Sequence, residues 1–128
     1  MIRITRTVPV PGQPAYAIEP DTPELQRVLD AMRSWWPISE LATFAELRHG
    51  YGNSDGGFGV IYPADRDDDE STAASLVEGE VLVYAFFGPP DGYEYIVPEG
   101  VYLECVAAYF RAHDRADDVR RVEALMTR

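Results

Sequence analysis

The sequence predicts an α+β domain with a single antiparallel or mixed sheet of about five strands and helices packed mainly on one face. The chain has 128 residues, the length of one domain, so residues 1–128 are expected to fold as a single unit. The segment EVLVYAFF, residues 80–87, has the length and apolar composition of a strand buried on both faces. Apolar residues recur at helical spacing within residues 22–36 and 98–126.

The N-terminal segment is predicted to form a strand, a connection and a helix. Ile2 and Ile4 alternate with polar residues, which is typical of a strand. Prolines interrupt residues 9–20, so that segment is expected to hold neither a helix nor a central strand. Thr22 or Asp21 can cap the helix that follows, and proline at position 23 suits its first turn. Its apolar stripe is Leu25, Val28, Leu29, Met32 and Trp36. This stripe places Trp36 in the core and leaves Trp35 partly exposed.

Residues 38–49 fit two structures. In one, Ser39 caps a helix whose inner side carries Leu41, Phe44 and Leu47. In the other, the residues alternate as a strand that runs into the turn GNSDGG and pairs with a second strand at 58–62. The hairpin is favoured, because the glycine-rich turn and the strand after it require a pairing partner.

The C-terminal half is predicted to contain an acidic loop, a hairpin and two helices. ADRDDDES, residues 64–71, forms the loop, and residues 80–87 form the central strand. GPPDG is a turn, and YEYIV is the returning strand, with Tyr93 and Tyr95 on the face of Val97. Proline 98 is expected to be the first residue of the next helix. The inward positions of the two helices are Tyr102, Cys105, Val106, Tyr109 and Phe110, then Val119, Val122, Leu125 and Met126.

Charge is the strongest global feature of the sequence. The chain has 22 acidic and 11 basic residues, every basic residue is arginine, and the net charge is -11. This balance argues against nucleic acid and anionic membranes as partners, and it leaves a basic protein, a cation or no particular partner. The sequence has neither a secretion signal nor an apolar stretch of the ~20 residues that a membrane span needs. One cysteine forms no internal disulfide, and a cytoplasmic location is predicted.

Candidate motifs for catalysis or metal binding fail at required positions. Asp65, Asp67 and Asp69 match a calcium loop, but Glu70 replaces the essential glycine and Leu76 the final glutamate. The glycine-rich stretch 50–59 has phenylalanine and glycine where a phosphate loop requires lysine and serine or threonine. One cysteine and two histidines do not make a zinc spacing. The sequence therefore predicts a protein that is not an enzyme and holds no cofactor or metal.

A surface rich in acids and tyrosines is the remaining candidate site. Between residues 65 and 99 the chain carries ten acidic residues and one arginine. Exposed aromatic residues with carboxylates at their rim are typical of protein interfaces. The predicted partner-binding residues are Asp67, Asp68, Asp69, Glu70, Asp91, Tyr93, Glu94, Tyr95 and Trp35. The alternative for the tyrosines is that they pack under the C-terminal helices.

Two further hypotheses remain at the level of sequence. A small ligand-binding domain or enzyme would have its pocket near the turns at 50–59 and 88–93 and would use His49, Asp55 or Asp91. A homodimer could form through the sheet edge or the tyrosine face, and it is compatible with either function.

Two segments of the chain carry a family resemblance. GEVLVYAFFGPPDGYEYIVPEGVYLE, and WWP followed by FAELRHGYG, resemble small acidic bacterial immunity proteins that are encoded beside polymorphic or contact-dependent toxins. The resemblance covers about half of the chain and carries no catalytic signature. It implies a protein that neutralises a cognate toxin, often a basic nuclease, by occluding or distorting it.

Overall fold

A computed structural model of the chain describes residues 2–7, 11, 15–53, 57–65, 76–85 and 92–127. Its helices and strands confirm the α+β class. In chain order they are β1 (Arg3–Arg6), β2 (Tyr16–Glu19), α1 (Pro23–Arg33), α2 (Glu40–Leu47), β3 (Tyr51–Asn53), β4 (Phe58–Ile61), a short 3₁₀ turn (Pro63–Asp65), β5 (Glu80–Ala85), β6 (Tyr93–Pro98), α3 (Glu99–Ala112) and α4 (Ala116–Met126). Most of the predicted acidic loop lies outside the described residues.

The described strands form two antiparallel sheets, so the expected single sheet of about five strands is not confirmed. β1 and β2 pair by themselves, with Ile4 opposite Ile18, and both side chains are buried. The second sheet has the order β3-β4-β5-β6. The sequence did not reveal β2, because it occupies four residues between the prolines at 14 and 20. A two-stranded sheet has only edge strands, where flanking prolines are tolerated.

Helix α1 begins as predicted and ends earlier than predicted. The backbone N–H of Leu25 donates to Oγ1 of Thr22, which satisfies one of the free amide groups of the first turn. The helix ends at Arg33, four residues before Pro37, and a residue that precedes proline is disfavoured in a helix. Trp36 therefore lies outside the apolar stripe and is 81% exposed, so its predicted place in the core is wrong. Trp35 packs against the core instead.

Residues 40–47 form a helix, and the favoured strand at 38–49 is wrong. Arg48 ends α2 in the left-handed conformation with φ 50, and the His49 N–H donates to the Phe44 carbonyl at 2.9 Å. The partner that β4 needs is the three-residue strand β3, in which Tyr51 pairs with Val60. Of the predicted inner positions of the helix, Leu41 is buried, but Leu47 is 70% exposed.

Strand β5 is the central strand that the sequence predicts. It pairs with β4 on one side and β6 on the other, with Val83 opposite both Val60 and Tyr95. Val83 and Val97 belong to the main core with residues of α1 and α3, whereas Leu82 packs on the opposite face with Leu76. The predicted alternation of β6 is confirmed, because Val97 is buried and Ile96 is 39% exposed.

Helices α3 and α4 complete the core. The five positions of α3 that were predicted to face inward are all buried. Pro98 is the residue before the helix rather than its first residue. In α4, Val119 and Val122 are buried, but Met126 is 38% exposed, so its predicted inward position is wrong. Met126 is the last residue of α4.

Gly59 provides the space for an aromatic ring on the outer face of the four-stranded sheet. It pairs with Tyr84, and a Cβ atom at Gly59 would lie 2.5 Å from ring carbons Cε1 and Cζ of that tyrosine. The substitution Gly59→Ala is expected to lower the free energy of unfolding by about 1–3 kcal/mol, because the ring must leave its position. Urea denaturation measures this loss.

A control and a double variant separate packing from backbone effects. Gly100→Ala is the matched control, since a Cβ atom there meets nothing within 4 Å. In the double variant Gly59→Ala/Tyr84→Ala the clash is absent, so its loss should be smaller than the sum of the two single losses. Additive losses would show that the Tyr84 ring does not restrict position 59.

Candidate partner-binding face

Three predicted site residues lie next to one another on the edge strand β6. They are Tyr93, Glu94 and Tyr95. The tyrosines lie on the face that packs against the helices and are half-buried, and Glu94 lies on the other face and is exposed. The predicted site residues 67–70 and 91 lie outside the described residues.

Helix α1 holds Tyr93 in place. The ring centroids of Tyr93 and Tyr95 are 5.8 Å apart, and the Arg27 guanidinium carbon lies 4.9 Å from the Tyr93 centroid. Arg27 in turn forms an ion pair with Asp30 at 2.9 Å. Burial raises the pKa of Tyr93 to about 12; the nearby Asp30 carboxylate adds to the rise and Arg27 opposes it. We call these five residues, Arg27, Asp30, Tyr93, Glu94 and Tyr95, the β6 face.

Strand β6 lies at the edge of the four-stranded sheet that the described strands form. One side of the strand pairs with β5, and no strand among the described residues pairs with the other side. Glu94, Ile96 and Pro98 of β6 are exposed on the outer face of the sheet. Unpaired N–H and C=O groups of an edge strand can bind an extended segment of another chain through main-chain hydrogen bonds. The β6 face therefore combines a backbone template, two aromatic rings and an exposed carboxylate.

The structure does not bring Trp35 to the β6 face. Its ring lies 5.4 Å from that of Tyr51, and its Nε1 donates to Glu40 Oε1 at 3.0 Å. Tyr51 and Tyr95 share a row of the sheet but lie on opposite edge strands, three strand spacings or about 14 Å apart. The exposed tryptophan is Trp36, and the proline after it is the sequence signal that would have indicated an earlier helix end.

Strand β3 lies between His49 and the turn of the first hairpin. Phe58, Ala85 and Tyr93 are neighbours in the register, so the two hairpin turns leave the sheet at the same end, as that hypothesis requires. His49 precedes β3 and therefore lies toward the other end, about 13 Å from the first turn at strand rise. Its Nδ1 contacts the carbonyl of Gly50, and its ring stacks on Phe44. The other two residues of that hypothesis, at 55 and 91, lie outside the described residues.

A metal centre would require several His, Cys, Asp or Glu side chains close together. In the part of the chain that the structure describes, no group of three or more such side chains could hold a metal ion. Cation binding by the acidic run at 67–70 is untested, since that run is outside the described residues. Within the described ranges, every helix is too short or too polar to traverse a bilayer.

The chain was compared with known proteins. No family model matches it, and neither does any curated protein or solved structure. The resemblance to immunity proteins therefore stays a prediction from the sequence.

Proposed function

We propose that the chain is a non-enzymatic binding protein that covers a basic protein partner through the β6 face, in the manner of an immunity protein that occludes its cognate toxin. The observation that carries this proposal is the pair of half-buried tyrosines beside an exposed glutamate on an edge strand, in a chain of net charge -11. Tyrosine is enriched in the energetically dominant parts of protein interfaces.

The distribution of positive charge supports the choice of a basic partner. Of the nine arginines within the described residues, seven pair with carboxylates of the same chain: Arg3, Arg27, Arg48, Arg111, Arg115, Arg120 and Arg121. These pairs neutralise most of the described cations and leave the acidic surplus to face solvent. A surface whose charges are mostly of one sign raises the association rate of an oppositely charged partner by a factor of about 10–10³.

The contacts expected at the β6 face follow from its geometry. An extended segment of the partner would pair with the β6 backbone and place alternate side chains on the two faces of the sheet. On the inner face it would meet the ring of Tyr95, and on the outer face an arginine or lysine would meet Glu94. The Arg27 guanidinium packs on the Tyr93 ring, and the Tyr93 ring contacts that of Tyr95. The Tyr95 ring would therefore need no rearrangement of Tyr93 to bind the partner.

Co-expression with the products of neighbouring genes, followed by pull-down at moderate salt, tests the proposal. With the captured partner, Tyr95→Ala is expected to weaken binding about tenfold or more, through faster dissociation. Glu94→Gln is expected to slow association and to flatten its dependence on salt. Glu104→Gln is the matched control, because it removes the same charge from an exposed position of α3.

Two outcomes would contradict the proposal. One is the absence of any partner, together with the absence of a toxin-like gene nearby. The other is an equal effect of Glu104→Gln and Glu94→Gln, which would indicate that only the net charge matters. Neutral substitutions of the acidic run at 67–70 should also slow association if those carboxylates face the partner.

Pairing of β6 with a second copy of the chain would use the same edge. Two copies that each carry a charge of -11 repel one another, and this repulsion favours a basic partner over a homodimer. Sedimentation at rising salt distinguishes the two, since a homodimer would be strengthened by screening and a complex with a basic partner would be weakened.

A further inference from the structure

Two arginines among the described residues have no carboxylate partner, and both lie beside the same tyrosine. Arg6 is the cross-strand partner of Tyr16 in the small sheet, so their side chains start about 5 Å apart on one face. The Arg33 guanidinium carbon, at the end of α1, lies 5.7 Å from the Tyr16 ring centroid. Both arginines are exposed, and Tyr16 between them is half-buried.

Tyr16 also belongs to a polar aromatic cluster at the end of α3. Its hydroxyl lies 2.9 Å from Nε2 of His113, which is half-buried. The Tyr109 ring contacts both, with centroids 5.6 Å from Tyr16 and 4.8 Å from His113. If Nε2–H donates to the Tyr16 oxygen, the phenolic O–H can donate in turn to a group outside the cluster.

The local charge is positive, in contrast to the chain as a whole. The charged groups that act on His113 are Arg6 from β1 and Asp114 and Arg115 from the turn after α3, whereas Arg33 from α1 acts on the neighbouring Tyr109. Burial lowers the pKa of His113, Arg6 and Arg115 lower it further, and Asp114 opposes them. Arg115 is ion-paired with Asp118 at 2.6 Å, which leaves Arg6 and Arg33 free to bind a ligand.

A role in helix capping does not account for this cluster. Arg33 lies in the last turn of α1, where a cation stabilises the helix dipole. Arg6 belongs to a different element and is not at a helix end, yet its charge acts on His113, which is hydrogen-bonded to Tyr16. Neither Arg6 nor Arg33 is ion-paired with a described carboxylate, so a bound anion would stabilise both charges.

We propose that Arg6, Tyr16, Arg33 and His113 form a binding site for one oxyanion group, the phosphate or carboxylate of a small molecule. The guanidinium groups would supply charge-assisted hydrogen bonds, and the Tyr16–His113 pair would supply a neutral donor that fixes the orientation. The site uses no residue of the β6 face, so it does not rest on the proposed partner.

Nuclear magnetic resonance of the two histidines tests the site on the intact protein. Inorganic phosphate and acetate are titrated in separate experiments while the imidazole resonances are recorded. Either anion is expected to shift the His113 resonance and to raise the pH at which it titrates, because the anion offsets the charge of Arg6. His49 lies before β3, outside the cluster, and serves as the internal control. A response to phosphate alone or to acetate alone identifies which oxyanion the site prefers.

Charge-removing variants complete the test. Arg6→Gln and Arg33→Gln are each expected to weaken anion binding about tenfold or more, the factor that corresponds to one hydrogen bond with a charged group. Arg3→Gln is the matched control, since it removes one cation from the same strand at a position paired with Glu19. Circular dichroism confirms that each variant is folded.

Three results would overturn the proposal. The first is an unchanged His113 resonance with both anions. The second is an equal response of His49 and His113, which would indicate an effect of ionic strength. The third is a loss of binding in Arg3→Gln as large as in Arg6→Gln, which would indicate diffuse attraction in place of a site.

Discussion

Above about pH 10, the free energy of unfolding is expected to fall steeply with each pH unit, because tyrosines are buried with their protons bound. Tyr51 and Tyr102 are buried, and the Tyr102 hydroxyl donates to the Tyr51 hydroxyl at 3.1 Å. Burial is the main cause that raises the pKa of both phenols above the ordinary value of 10.0. The Tyr51–Tyr102 hydrogen bond opposes the rise for Tyr51 and adds to it for Tyr102.

The sign of this dependence follows from proton binding. Above pH 10.0 the unfolded chain releases the two phenolic protons, whereas the folded protein keeps them until its raised pKa values are reached. Stability is therefore complete below that pH and is lost as the pH rises, by about 2.7 kcal/mol per unit for two groups. Burial also raises the pKa of Cys105 from 9.0 to about 12, which adds a loss of the same sign from a lower pH.

Urea denaturation at stepped pH measures the effect. The double variant Tyr51→Phe/Tyr102→Phe removes both ionisable groups, so its stability should fall less steeply above about pH 10 than that of the natural chain. The single variant Tyr102→Phe leaves the Tyr51 hydroxyl buried without its donor and should lose about 1–3 kcal/mol at neutral pH. An alkaline slope equal to that of the natural chain in the double variant would contradict this account.

The substitution Phe110→Ala is expected to lower the free energy of unfolding by about 3–5 kcal/mol. The Phe110 side chain is 0% exposed and lies on α3, which contacts the other three helices and strands of both sheets. Close packing on all sides limits how far the surroundings can move into the space that the ring leaves. The lost transfer energy of the ring and the cavity then add.

Calorimetry or urea denaturation checks this loss against two other variants. Phe110→Leu should cost less, because it leaves a smaller cavity. Met126→Ala is the surface control, since Met126 is 38% exposed at the end of α4. A loss in Phe110→Ala no larger than in Met126→Ala would show that α3 is not the centre of the core. The Phe110→Ala substitution should reduce binding at the β6 face only because it increases the fraction of unfolded protein.

Features with a local cause could be predicted from the sequence. Thr22 and Pro23 set the start of α1, because capping and the fixed φ of proline act within one turn. The apolar run that contains Val83 identified the central strand, and the alternation around Tyr95 gave the inner face of β6. Tyr93, Glu94 and Tyr95 could be predicted as neighbours for the same reason, since they are consecutive on one strand.

The tertiary structure alone decided the features that depend on distant residues. Residues 40–47 are too few for their apolar spacing to distinguish a helix from a strand. The separate sheet depends on the pairing of β1 with β2. The prolines near β2 argue against a strand there, so the sequence does not predict this pairing. Tyr16 and His113 are 97 residues apart in sequence, yet their side chains are hydrogen-bonded. The fold also decides that Arg6 and Arg33 have no carboxylate partner among the described residues, because an ion pair requires two opposite charges to lie close together.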